Sequence, residues 1–136
     1  MRGLSDPIVP TEVLTRYVLD KNSYKPSEGR VRHSAFMPPS NLRLSVYRSS
    51  GQSEAMIWEL GNQNVAAHRN KPLVGRADIL ASDVSDSNED LKLSPDTEPH
   101  PLHANIAGWP EQKDKQKLIA IKLASKSKFS LYPEIL

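Results

Sequence analysis

The run "NLRLSVYRS", residues 41–49, constrains this chain more than any other. Leu42, Leu44 and Val46 alternate with Arg43, Ser45 and Tyr47. A period of two places these side chains on opposite faces of a strand, one apolar and one polar, with Arg48 on the apolar parity near the strand end. "GRVRHSAFMPP", residues 29–39, reads as a second strand stopped by Pro38 and Pro39, and the short "PPSN" connection suits a hairpin between the two. Residues 11–20, "TEVLTRYVLD", fit a short helix capped by Thr11 or a strand around Leu14–Leu19; periodicity leaves both open. "KPLVGRADILASDV", residues 71–84, reads as a strand with a polar pair, Arg76 and Asp78, near its start. "LHANIAG" and the terminal "FSLYP" read as further short strands, and Leu91–Leu93 as one more.

Two segments carry helical signals. "SEAMIWELG", residues 53–61, has Ser53 to cap it, Glu54 in the first turn, Gly61 to close it, and Met56, Ile57 and Leu60 on one face; "NVAAHRN" adds a turn after a break. Pro110 suits the first turn of a longer helix, in which Ile119 stacks on Leu123 with Ala120 and Ala124 beside them. Lys115, Lys122 and Lys126 fall within about 40° on its wheel and form a basic ridge. The expectation is an α+β protein: a small, mainly antiparallel twisted sheet with a long C-terminal helix (about 110–127) and a shorter helix (about 53–68) packed on it.

A chain of 136 residues suits one domain over 1–136 and can bury a core without staples. No cysteine is present, which excludes a disulfide framework, a thiol nucleophile and thiolate-bound zinc. No apolar run approaches the ~20 residues of a membrane helix, and residues 1–13 lack the apolar stretch of a signal peptide, so no membrane association and a cytoplasmic location are expected. Net charge is only +2, but it is segregated. Residues 81–112 carry 7 acidic residues and 1 basic, whereas 113–136 carry 6 basic and 2 acidic. All eight arginines lie at or before Arg76. Residues 1–10 hold two prolines and a glycine and read as an irregular arm, and the acidic residues 85–101 as a mobile loop between basic regions.

Signatures for phosphate loops, dinucleotide folds, metalloproteases, serine hydrolases and EF-hands are absent. His100 and His103 in "EPHPLHANIAGWP" invite a metal reading with Asp96, Glu98, His33 or His68, but a proline-flanked gap of three is not a helical ligand pair, so neither a metal nor another cofactor is expected. Ser49, Ser50 and Ser53 lack a nucleophile elbow and read as turn or cap residues. Trp58 reads as core or interface, and Trp109, ahead of Pro110, as a packing anchor.

The remaining constellation is basic. Arg30, Arg32 and His33 share one expected strand, Arg48 ends the next, Arg76 opens a third, and His103 with Asn105 lies on a fourth. If these ends converge, His33 and His103 are acid/base candidates, Arg32, Arg48 and Arg76 contact phosphate, and Asn105 orients the ligand. His103→Ala would then impair function at little cost to stability. The functional expectation is binding, and metal-free acid/base processing, of a phosphate-bearing ligand such as RNA or a nucleotide. The alternative is a non-catalytic binding module or an accessory subunit of a larger bacterial assembly, with Lys115, Lys122 and Lys126 meeting a protein partner. Convergence of His33, His103, Arg48 and Arg76 separates the two.

Overall fold

A computed structural model describes residues 6–25, 29–98 and 100–133. Its centre is strand β1 (Val13–Val18). Both faces of this strand are covered, which is why its sequence alternates poorly and reads ambiguously. A two-stranded ribbon follows, β2 (Tyr24–Lys25) with β3 (Arg30–Val31), and then β4 (Leu44–Arg48), β5 (Gly75–Leu80), β6 (Lys92–Pro95), β7 (His103–Ala107) and β8 (Lys128–Leu131). Six strands form one antiparallel sheet in the order β6-β7-β4-β1-β5-β8. The α+β class is as expected from the sequence.

Register fixes which side chains share a face. Leu14 lies opposite Arg48 and Ile79, whereas Thr15 lies opposite Tyr47 and Asp78, and Tyr17 opposite Arg76. One face therefore carries Leu14, Val18, Leu44, Val46, Ala77, Ile79, Ala104 and Ile106, which pack against Ile119, Ala120, Leu123 and Ala124 of helix α4 (Lys113–Lys126). Helix α3 (Ala81–Ser87) adds Ala81 and Val84 to this core. The opposite face carries Tyr17 and Tyr47, which pack against Ile57 and Leu60 of helix α1 (Glu54–Gly61). The two helical layers thus lie on opposite sides of the sheet.

Several local expectations are corrected. Residues 29–39 are not a strand hairpinned to 41–49: β3 pairs with β2, and His33–Phe36 form a 3₁₀ turn. Ala35 and Phe36, adjacent in sequence, are both buried in the α4 core, which a strand of period two does not allow. The neighbours of β4 are β1 and β7, and Leu42 sits at φ 59°, outside the strand. The run 71–84 divides at Ala81 into β5 and α3. The acidic segment 85–101 is not one loop, since it holds the end of α3 and all of β6, whose ladder runs along β7 from Lys92 to Pro95. Residues 6–12 are irregular but tied down, with Ser82 N donating to Pro10 O at 3.0 Å and Ile8 packed on the core; residues 1–5 of the expected arm lie outside the described residues.

Gly61 does not end its helix. The helix continues through a π turn (Asn62–Ala66) into α2 (Ala67–Arg69), and Gly61 serves close packing, since a Cβ there would lie 2.5 Å from the Tyr17 ring. Asn70, in the left-handed region at φ 53°, closes it: Lys71 N donates to Ala66 O and Asn70 N to Ala67 O, the two bonds of a Schellman cap. Met56 points to solvent at 45% exposure, apart from Ile57 and Leu60. The long helix begins at Lys113, so Pro110 precedes its first turn; the Gln116 side chain reaches back from the helix to donate to Pro110 O at 2.8 Å.

Gly108 ends β7 at φ 83°, where a Cβ would overlap the Asp90 carbonyl oxygen. Both the backbone conformation and the contact require glycine. Gly108→Ala is expected to destabilise the fold by at least about 2 kcal/mol, read as a lower urea midpoint at unchanged slope. An unaltered midpoint would show that the 88–91 turn is free to move away.

Candidate functional site

The basic cluster at 30–33 survives the loss of its strand. Arg32 N donates to Ser23 O at 2.7 Å, Ala35 N to Arg32 O at 3.1 Å, and Ser34 Oγ lies 3.1 Å from Ser23 Oγ. These bonds pin the exit of β3 to the turn at Lys21–Ser23, so the 3₁₀ turn stands at a fixed position against α4. Lys25, Arg30, Arg32 and His33 then face one cavity of about 260 Å³. Val31, Ile121, Ala124 and Ser125 complete its walls, and no carboxylate among the described residues lines it. Ile121 is 45% exposed, so a basic rim adjoins an apolar surface of α4. Such a set can hold an anion and lay an apolar group beside it.

The other expected site residues are elsewhere. His103 belongs to β7 on the α1 side of the sheet, opposite in register to Tyr47, whereas His33 stands on the α4 side. The His103 ring is buried, with Nδ1 3.0 Å from Asp96 O and Nε2 3.0 Å from Ser45 Oγ. A carbonyl can only accept, so Nδ1 carries a proton, and in the neutral ring Nε2 accepts from the serine hydroxyl. The Asp96 carboxylate lies 3.7 Å from Nδ1 and takes a hydrogen bond from Asn105 Nδ2 at 3.1 Å. Asn105 therefore orients the 96–103 connection in this structure.

Arg48 is buried on the α4 face at the strand end, donating to both Glu12 carboxylate oxygens and, at 2.9 Å, to Asp6 O. Arg76 is buried on the opposite face, 2.7 Å from Glu54 and 3.2 Å from Asp78, with its guanidinium 4.6 Å from the centre of the Trp58 ring. Burial works against its charge, yet Glu54 and Asp78 raise its pKa above the ordinary arginine value. Arg76 and His103 are separated by three strand spacings and by the two-residue offset from Tyr17, opposite Arg76, to Thr15, opposite Tyr47 and hence in the row of His103, a span of roughly 16 Å. The structure thus brings Arg32 and His33 together and leaves Arg48, Arg76, His103 and Asn105 in separate, internally bonded places.

His100 and His103 pack edge-on to Tyr47, at 6.1 Å and 5.3 Å between ring centres. Burial, and then the nearby His103, lower the His100 pKa, and its Nδ1 accepts from Leu102 N at 3.0 Å. Among the described residues no three His, Asp or Glu side chains gather as metal ligands. Pro99, one of the prolines flanking the histidine pair, lies outside the described residues. Trp109 is buried and donates from Nε1 to Ile106 O, an anchor as expected. Ser53 caps α1, Ser50 Oγ accepts from Val13 N, and Ser49 Oγ lies 2.8 Å from Thr15 Oγ1. No helix among the described residues is long and apolar enough to cross a membrane.

Lys25 escaped the sequence reading. Its only signal is the pairing of residue 25 with Arg30 across the ribbon, which needed the β2–β3 register to be seen. No protein-family model matches the chain, and comparison with curated proteins and with solved structures finds no match.

Burial reverses the expectation that His103→Ala would spare stability. Removing the ring leaves a cavity and strips Asp96 O and Ser45 Oγ of a partner, at a cost of about 2–4 kcal/mol. Arg48→Ala leaves a buried Glu12 carboxylate and should cost about 3–5 kcal/mol. Chemical denaturation of both variants beside Trp109→Ala, expected at about 3–5 kcal/mol, checks the assignment. Wild-type midpoints for His103→Ala and Arg48→Ala would return those side chains to the list of free ligand contacts.

Proposed function

We propose that this protein binds a phosphate-bearing ligand, RNA or a nucleotide, in the cavity of Lys25, Arg30, Arg32 and His33. One observation carries the reading: four basic side chains from two strands and a turn face a common space without a lining carboxylate among the described residues. Arginine forks suit phosphate oxygens bidentately, and a lysine adds a mobile charge. Val31 and Ile121 offer an apolar wall for a ribose or base edge. His33 is the acid/base candidate within the cavity. The histidine pair of a two-proton mechanism is not assembled there, because His103 is bonded on the other side of the sheet. Binding is therefore the function proposed, with His33 as a contact to phosphate.

A second reading, a binding module for a protein partner, has its own support on α4. Leu118 is 64% exposed and Ile121 45%, on a helix surface that also carries exposed Lys115, Lys122 and Lys126. An apolar pair flanked by cations suits an amphipathic, acidic partner surface.

Fluorescence anisotropy of a short labelled single-stranded oligoribonucleotide tests the first reading. With about three phosphates neutralised, log K should fall with log salt at a slope near −2. Arg32→Ala should weaken binding roughly tenfold and flatten that slope by about 0.7. Leu118→Glu should leave both values unchanged. No binding at low salt, or equal binding by Arg30→Ala/Arg32→Ala, would sink the reading and leave the partner surface on α4 as the better one.

A further inference from the structure

A second basic cavity lies on the other flank of the 3₁₀ turn. Whereas His33 faces the first, Ser34 and Ala35 wall this one, together with Arg16, Asp20, Ser23, Val65, Arg69 and Lys71, around a volume of about 230 Å³. Its inner cation is unusual. Arg16 is on the central strand, and its guanidinium is held by two carbonyl oxygens, Nε to Ala35 O at 2.9 Å and Nη1 to Ser45 O at 3.0 Å. No carboxylate among the described residues lies at bridging distance from it. Arg48 and Arg76, the buried arginines of the same sheet, both have carboxylates. Arg16 is half-buried, and a partly desolvated cation without a counter-charge is favoured by an anion that supplies one. Burial, and then the neighbouring charge of Arg69, push Arg16 down to about 10, so it remains protonated at neutral pH.

The outer cations are placed by a backbone irregularity. Val65 lies in the π turn, and the turn after it carries Arg69. Left-handed Asn70 then reverses the chain so that Lys71 faces the same cavity. π turns inside α-helices are frequent at functional sites. The helix-end carbonyls do not need these cations, because Lys71 N and Asn70 N already bond the Ala66 and Ala67 oxygens. Asp20 is the one acidic wall residue, and its carboxylate is engaged as a cap, accepting from Asn22 N at 2.8 Å.

We propose that this second cavity binds a phosphate group, as inorganic phosphate or as a phosphate monoester, between Arg16, Arg69 and Lys71. The site stands on residues separate from the Lys25, Arg30, Arg32 and His33 cavity and does not depend on what that cavity binds. Arg16 contributes the inner, half-buried guanidinium, Arg69 and Lys71 close over the anion from the helix end, and the Ser23 and Ser34 hydroxyls supply polar wall. The volume admits a phosphate with a small part of any esterified group.

The test is an amide-resolved NMR titration with sodium phosphate, compared with sodium chloride at matched ionic strength, and repeated with a nucleoside monophosphate. Saturable shifts should centre on residues 16–20, 23, 34–35 and 65–71 and be absent with chloride. Arg69→Ala/Lys71→Ala, two exposed positions, should keep the fold and weaken phosphate binding at least about fivefold. Arg32→Ala/His33→Ala should leave these shifts intact even if oligoribonucleotide binding is lost. Equal responses to both monophosphate and phosphate identify the anion alone as the ligand; a tighter monophosphate adds the ester. Absence of saturable shifts, identical shifts with chloride, or an unaltered affinity in Arg69→Ala/Lys71→Ala overturns the proposal.

Discussion

The constraint on which this structure depends is the burial of polar side chains on its central strand. β1 is covered on both faces, yet it and the residue before it carry Glu12, Thr15, Arg16 and Tyr17. Each such group must find a partner or destabilise the fold by about 1–3 kcal/mol or more. Tyr17 donates to Ile57 O, which docks α1; burial raises the pKa of this phenol, keeping it a donor. Thr15 Oγ1 lies 2.7 Å from Asp78 Oδ1 and 2.8 Å from Ser49 Oγ. With one proton, the threonine hydroxyl donates to the carboxylate and accepts from the serine. Asp78 also takes Arg76, and Arg76 takes Glu54 at the start of α1 and stacks on Trp58. A single strand thus orders the α1 face through hydrogen bonds as much as through apolar contact. Glu54 is mostly exposed, so this pairing adds little energy; its effect is to orient a buried guanidinium.

The same strand sets the geometry of the basic cavities. Arg16 reaches Ala35 O and Ser45 O, and so ties the 3₁₀ turn to the place where β1 and β4 part. Phe36 behind it is fully buried, which prevents the turn from sliding. His33 and Ser34 consequently face different spaces although they are adjacent. A helical turn that must bury residues 35 and 36 together exposes 32 and 34 and half-exposes 33.

Legibility followed burial. β4 and the Ile119–Leu123 face of α4 were readable because each has one buried face, so period two or period 3.6 appears in the sequence. β1 was ambiguous because it has none exposed. The 29–39 run misled because Val31, Ala35 and Met37 alternate at the spacing of a strand, while the deciding residue, Phe36, is buried by contacts with α4, far away in the chain. Gly61 resembles a cap by its position after Leu60; its true reason, the Tyr17 ring, is again a long-range contact. For the site, local clustering carried the signal. Arg30, Arg32 and His33 are near one another in sequence and remain together in space. The wider constellation of Arg48, Arg76, His103 and Asn105 required strand order, which the sequence does not state.

Carboxylates decide what each arginine is for. Arg48 and Arg76 sit where Glu12, Glu54 and Asp78 converge on them, and they are structural cations whatever their type suggests. Arg30, Arg32 and Arg69 have no carboxylate at bridging distance among the described residues, and all three line cavities beside the same 3₁₀ turn. A set of arginines spread over half the chain is thereby sorted into two kinds by their partners, not by their spacing. Releasing the Arg48 guanidinium would strand the buried Glu12 carboxylate, and Arg76 is held by Glu54 and Asp78 through Nη2 and Nε, with its Nη1 buried and without a hydrogen bond. An exposed one beside a half-buried cation such as Arg16 keeps its donors and adds to a common positive field. That division is why the proposed anion recognition is assigned to the turn at 33–36 and its two flanks, while Arg48 and Arg76 hold carboxylates elsewhere in the sheet.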